Sequence, residues 1–127
     1  LKYLDKWNDK RRSIASIYNK ELNKYTKDLD RIITPTESSD RNHIYHLYVI
    51  ITPNRNELMN YLKENGIGTQ IHYPIPAHLQ KSYQDLNVLN GSLPITEKFA
   101  NEILSLPMYP ELTEEQISQV IKTVNSF

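Results

Sequence analysis

The sequence predicts an α+β fold: a small sheet of about three strands, helices packed mainly on one face, and a long helix in front. Three observations predict it. Leu4, Trp7, Ile14, Ala15, Ile17, Tyr18, Leu22 and Tyr25 recur at helical spacing with charged and amide side chains between them, the pattern of an amphipathic helix from Tyr3 to about Tyr25. His43 to Thr52 alternates side chains with a period of two, Tyr45, Leu47, Val49 and Ile51 against Ile44, His46, Tyr48 and Ile50. Downstream, strand-like and helix-like periods take turns to the end of the chain.

The elements follow in order. Asp28 to Arg41 is polar and holds Pro35, so it reads as a loop, with Arg31-Ile32-Ile33 as a short strand inside it. Both faces of His43–Thr52 are largely apolar, which predicts a central strand covered on both sides, with His46 as a hydrogen-bonded core histidine. Pro53 ends it. Asn54 followed by Glu57 has capping-box spacing and opens a helix with Leu58, Tyr61 and Leu62 on its buried stripe. Gly66 after Asn65 reads as its left-handed stop. Thr69–Tyr73 is a strand, His78–Leu86 holds a helical turn or two, and Asn87–Ser92 with Asn90-Gly91 is a turn. Leu93-Pro94 opens a helix that places Ile95, Phe99, Ala100 and Ile103 toward the core. Leu104–Met108 is a short strand, kept at an edge or ended by Pro107. Thr113 and Gln116 form a second capping box before the stripe Ile117, Val120, Ile121 and Val124.

The remainder of the chain is arranged around Gly66–Gln80, GIGTQIHYPIPAHLQ. Pro74 and Pro76 fix their own φ and push Tyr73 and Ile75 toward extended backbone, so His72–Ala77 is expected to be non-helical and rigid. This arm carries His72, Tyr73 and His78, three side chains able to meet a polar ligand, and rigid polar loops are where binding groups concentrate. The plainer reading is a strand running into a surface turn whose histidines bond only locally.

Composition narrows the classes. Lys+Arg and Asp+Glu both number 15, so the basic excess of a nucleic-acid or anionic-membrane surface is missing. Without cysteine there is no disulfide, thiolate metal site or thiol nucleophile; this agrees with a reducing, cytoplasmic setting. No apolar run nears the roughly 20 residues that span a bilayer. The nine tyrosines favour a domain that docks onto something. Arg11 and Arg12 lie mid-helix and read as solvated, or as part of a subunit contact. His43 and His46 point to opposite faces of their strand and cannot readily share a metal, and His72 with His78 falls short of the three or four ligands of a zinc site. Gly66-Ile67-Gly68 follows a helix and opens a strand, the reverse of a phosphate loop. No lysine sits in an apolar setting that would suit Schiff-base chemistry. The residues describe a scaffold with one polar arm and no complete catalytic set.

The blocks LKYLDKWNDKRRSIASIYNKEL, HIYHLYVI, NRNELMNYLKENGIGTQIHYPIPAHLQKSY and LPITEKFANEILSLPMYPELTEEQISQVI resemble, in that order and spacing, the C-terminal part of DegT/DnrJ/StrS-type sugar aminotransferases. IHYPIPAHLQ and SLPMYPELTEEQ are the most specific parts, and the similarity covers nearly the whole chain. The resemblance implies a fold-type I aminotransferase that depends on pyridoxal phosphate (PLP), moving an amino group, from glutamate, onto a nucleotide-linked keto-sugar. It implies residues 1–27 as a linking helix and 28–127 as the small C-terminal domain. A large domain of the same protein would hold PLP and its Schiff-base lysine, and the whole would be a homodimer. His72, Tyr73 and His78 are carried over as substrate-side residues; no catalytic, cofactor-binding or metal-binding residue is assigned to this chain, and alone it is expected to be inactive. The chain opens at Leu1 inside a helical pattern, which reads as a piece of a longer protein. The competing reading is a free-standing, non-catalytic ligand-binding or dimerisation module.

Overall fold

A computed structural model describes residues 1–22 and 32–127. Helix α1 (Leu4–Glu21) buries Ile14, Ala15 and Tyr18, and Leu22 just beyond its end is buried with them. Leu4, Trp7 and Ile17, expected on the packed stripe, are exposed; only the C-terminal half of the helix lies against the sheet. Tyr25, Arg31 and the 27/28 boundary lie outside the described residues.

Strands β1 (Tyr48–Ile51) and β2 (Ile103–Leu106) pair antiparallel, Tyr48 opposite Leu106 and Ile51 opposite Ile103. Among the described residues the sheet is therefore two-stranded rather than about three-stranded. A single bridge extends each outer edge, Ile33 to Ile51 and Gln70 to Ser105. The expected strand at Thr69–Tyr73 contributes only that second bridge, because the chain turns off toward Pro74 and Pro76, which lack the N–H a ladder needs. The expected strand from His43 is shortened at its start: Tyr45 has φ 49°, a left-handed conformation that breaks extended backbone. The alternation does not reach His46, which is exposed and not a core histidine. His43 Nδ1 accepts from the Tyr45 N–H at 2.8 Å.

Helix α2 (Arg55–Glu64) buries Leu58 and Leu62, with Tyr61 half-buried. The Asn54–Glu57 capping box does not form: Asn54 makes no side-chain capping bond, and its N–H instead donates to Thr52 Oγ1 at 3.4 Å. The other end follows the sequence. Gly66 has φ 76°, and the Gly66 and Ile67 N–H groups donate to the Lys63 and Leu62 carbonyls at 3.0 and 2.9 Å, the paired bonds of a Schellman stop. Two 3₁₀ segments, Ala77–Leu79 and Lys81–Leu86, follow the prolines. Ala77 thus already begins a helical turn, with Pro76 capping it.

Helix α3 (Pro94–Glu102) buries Ala100, but Ile95 is 71% exposed and Phe99 is also exposed, against expectation. Its contact with the core is through its C-terminal turn, where the buried Arg55 guanidinium donates to the Ala100 and Ile103 carbonyls, each at 3.4 Å. Helix α4 (Glu114–Ser126) starts with the predicted capping box, Thr113 Oγ1 accepting from the Gln116 N–H and Gln116 Oε1 from the Thr113 N–H. Its Ile117, Val120 and Val124 are buried, and Ile121 packs at the margin. One apolar cluster joins α1, β1, α2, β2 and α4. Tyr18 pins α1 to it, with its ring 4.9 Å from that of Tyr48 and its hydroxyl donating to the Pro107 carbonyl at 3.1 Å. No helix among the described residues is long and apolar enough to cross a membrane.

Candidate functional site: the 68–80 arm

The arm leaves the Schellman stop, touches β2 once, and then runs through the two prolines. The touch is at Ser105. Its N–H donates to the Gln70 carbonyl at 2.8 Å, and its carbonyl accepts from the Gln70 N–H at 3.3 Å. Two residues on, His72 Nδ1 lies 2.8 Å from Ser105 Oγ. His72 is half-buried. The His72–Tyr73 peptide bond is cis, and the two rings meet edge to face with centroids 5.5 Å apart. Tyr73 is 72% exposed.

The far end of the arm is held by Glu97. His78 Nε2 lies 3.1 Å from Glu97 Oε1, and the His78 side chain is only 7% exposed. The same carboxylate accepts from the Gly91 N–H at 2.9 and 2.8 Å and from the Leu93 N–H at 3.1 Å. Burial pushes the Glu97 carboxyl up, but the Gly91 and Leu93 N–H groups and the His78 ring outweigh it and hold the group below its ordinary 4.5. One carboxylate thus joins the arm, the Asn90-Gly91 turn and the first turn of α3. His78 Nδ1 is buried without a partner among the described residues.

The three sequence-predicted residues are therefore held in different ways. His72 is anchored to β2, His78 to α3, and Tyr73 stands exposed between them. Ser105 and Glu97 were not singled out from the sequence. Their signals are slight: a small polar residue inside the apolar run Ile103–Leu106, and an acid in the first turn of a helix after a turn. A cavity of about 180 Å³ opens beside the arm, lined by Gly68, Thr69, Gln70, His72, Ser105 and Met108 among others. Among the described residues no group of three His, Asp or Glu is placed to hold a metal ion. Every described lysine is exposed, so these residues do not fit as the Schiff-base partner of an aldehyde cofactor.

Residues 1–125 match the DegT/DnrJ/EryC1/StrS aminotransferase family. The chain belongs to this family. A Geobacillus stearothermophilus relative named as a pleiotropic regulatory protein is 44% identical over 98% of this chain and 33% of its own length. A dTDP-3-amino-3,6-dideoxy-α-D-galactopyranose transaminase of Aneurinibacillus thermoaerophilus is 37% identical over 100% of this chain and 33% of its own. Among solved structures, DesV of S. venezuelae in complex with a ketimine intermediate superposes with a TM-score of 0.91 at 37% identity, covering 99% of this chain and 33% of that one. The chain spans about a third of the length of the curated relatives it matches.

Proposed function

We propose that this DegT/DnrJ/EryC1/StrS-family chain is the C-terminal domain of a PLP-dependent aminotransferase that passes an amino group, from glutamate, to a nucleotide-linked keto-sugar. Residues 1–27, which include α1, act as its linking segment and 28–127 as the small α+β domain, with helices mainly on one face of the sheet. The observation that carries the reading is the arm itself. It is tied at one end to Ser105 and at the other to Glu97, and it presents Tyr73, exposed, beside the half-buried His72. A segment held at both ends loses little further freedom when it meets a ligand.

PLP would supply the electron sink for amino transfer. Its attachment is assigned to the large domain of the whole protein, as the family resemblance implies, and no bond-making step is assigned to this chain, whose described lysines are all exposed. The chain's residues bind and orient: His72, Tyr73 and His78 shape the sugar side of the cleft, with His78 acting from its buried place on Glu97. The exposed apolar side chains Tyr73, Ile75, Leu89 and Ile95 would be covered by the large domain or by the second copy of a cytoplasmic homodimer.

The test is His72→Ala and Tyr73→Phe in the intact protein. Loss of one hydrogen bond to an uncharged substrate group should lower kcat/KM for the keto-sugar nucleotide by about threefold to tenfold in both variants, with PLP occupancy little changed; Tyr73→Phe should also keep its melting temperature, whereas His72→Ala, which takes the partner from Ser105 Oγ, should lower it. Variants that melt many degrees lower yet keep a normal kcat/KM would make the arm purely structural.

A further inference from the structure

We propose that Ser105 is a positioning residue that fixes His72 in the tautomer bearing its proton on Nε2. The ring is then presented as a hydrogen-bond donor to an oxygen acceptor of the substrate, a hydroxyl or phosphoryl oxygen. The ligand half of this inference rests on the reading of the arm as substrate-side; the tautomer half does not.

Ser105 is 5% exposed in the middle of β2. Its hydroxyl hydrogen, on a buried residue, needs an acceptor. His72 Nδ1, 2.8 Å away, is the partner placed for Ser105 Oγ among the described residues. If the ring donated to Oγ instead, the hydroxyl hydrogen would have no acceptor among the described residues. The bond therefore runs from Ser105 Oγ–H to His72 Nδ1, and a neutral imidazole whose Nδ1 accepts carries its proton on Nε2. The backbone of the same serine holds Gln70 by two bonds, so one residue fixes both the path of the arm and the orientation of the ring. The adjoining cavity of about 180 Å³ has room for a substituent of a sugar nucleotide, not for the whole molecule.

The experiment uses the intact protein labelled with ¹⁵N-histidine, at about pH 8.5 so that an ordinary imidazole is neutral. Two-bond ¹H–¹⁵N correlations identify the tautomer, and His72→Gln assigns the signal. The wild type should show the Nε2–H pattern for His72. Ser105→Ala should convert it to a mixture of tautomers and raise KM for the keto-sugar nucleotide by about threefold to tenfold, leaving kcat within about twofold. Ser105→Thr, which keeps the hydroxyl, should restore both. An Nδ1–H pattern in the wild type, or a pure Nε2–H pattern in Ser105→Ala, overturns the proposal. Should Ser105→Ala fail to fold, the wild-type spectrum and Ser105→Thr still decide it. An unchanged KM in His72→Ala together with the Nε2–H pattern in the wild type sinks the substrate reading and leaves the hold of Ser105 on His72 supported.

Discussion

Replacing Gly66 by alanine tests the turn that launches the arm. Gly66 closes α2 at φ 76°, and a Cβ built there meets nothing within 4 Å. The cost is therefore backbone conformation alone, with no steric clash to relieve. An L-residue held in the left-handed region loses roughly 1–2 kcal/mol. Gly68, two residues on, is the control: its added Cβ also meets nothing within 4 Å, and its φ lies outside the left-handed region. Both substitutions reduce the freedom of the unfolded chain alike, by about 0.4–1 kcal/mol of stabilisation. That part cancels between them, so Gly66→Ala should be less stable than Gly68→Ala by about 1–2 kcal/mol. For a domain of this size the gap is about 3–8 °C in melting temperature. Urea titration followed by circular dichroism, extrapolated linearly to water, measures it. Gly66→Asn should recover part of the loss, since asparagine tolerates this conformation. Equal stabilities for Gly66→Ala and Gly68→Ala, or Asn at 66 worse than Ala, would refute the reasoning.

Two further outcomes are expected. Tyr18→Phe removes the hydroxyl that reaches the Pro107 carbonyl, and should cost about 0.5–1.5 kcal/mol by denaturant titration at neutral pH. Burial, and secondarily Tyr109, raises the Tyr18 hydroxyl above its ordinary 10.0, so its contribution is full below that pH and falls as pH rises toward the raised value; Tyr18→Phe should lose less stability than wild type above pH 10.0. Glu97 is shifted the other way, below 4.5. Its contribution is present above 4.5 and is lost as pH falls through the lowered value. Glu97→Gln should flatten the acid limb of the stability curve, and parallel limbs for variant and wild type would count against the Glu97 anchor.

The sequence by itself determined the four α-helices among the described residues and most of their described ends, because those signals are local. Thr113 and Gln116 lie within one helical turn and form their box as spaced. Gly66 can take a left-handed stop whatever lies around it, and Pro94 is suited to the first turn of a helix. The family blocks were legible for the same reason, as was the arm, whose backbone two prolines constrain. Local signals also misled where the surroundings competed. Asn54 and Glu57 have capping-box spacing, yet the Asn54 N–H goes to Thr52 and the box does not close.

Tertiary structure alone decided the length of the sheet, the face that α3 buries, and what holds the arm. Strand length depends on partners far along the chain: Tyr48 meets Leu106, and Gln70 meets Ser105. His46 reads as a strand residue until Tyr45 turns left-handed and removes it from the ladder. Ile95 and Phe99 have helical spacing, but the packing of Ala100 and the carbonyls bonded by Arg55 set which side of α3 faces inward. Ser105 and Glu97 stand 33 and 19 residues from the histidines they hold. No periodicity spans such separations; a side chain's partner there is set by where the folded backbone brings the two elements together.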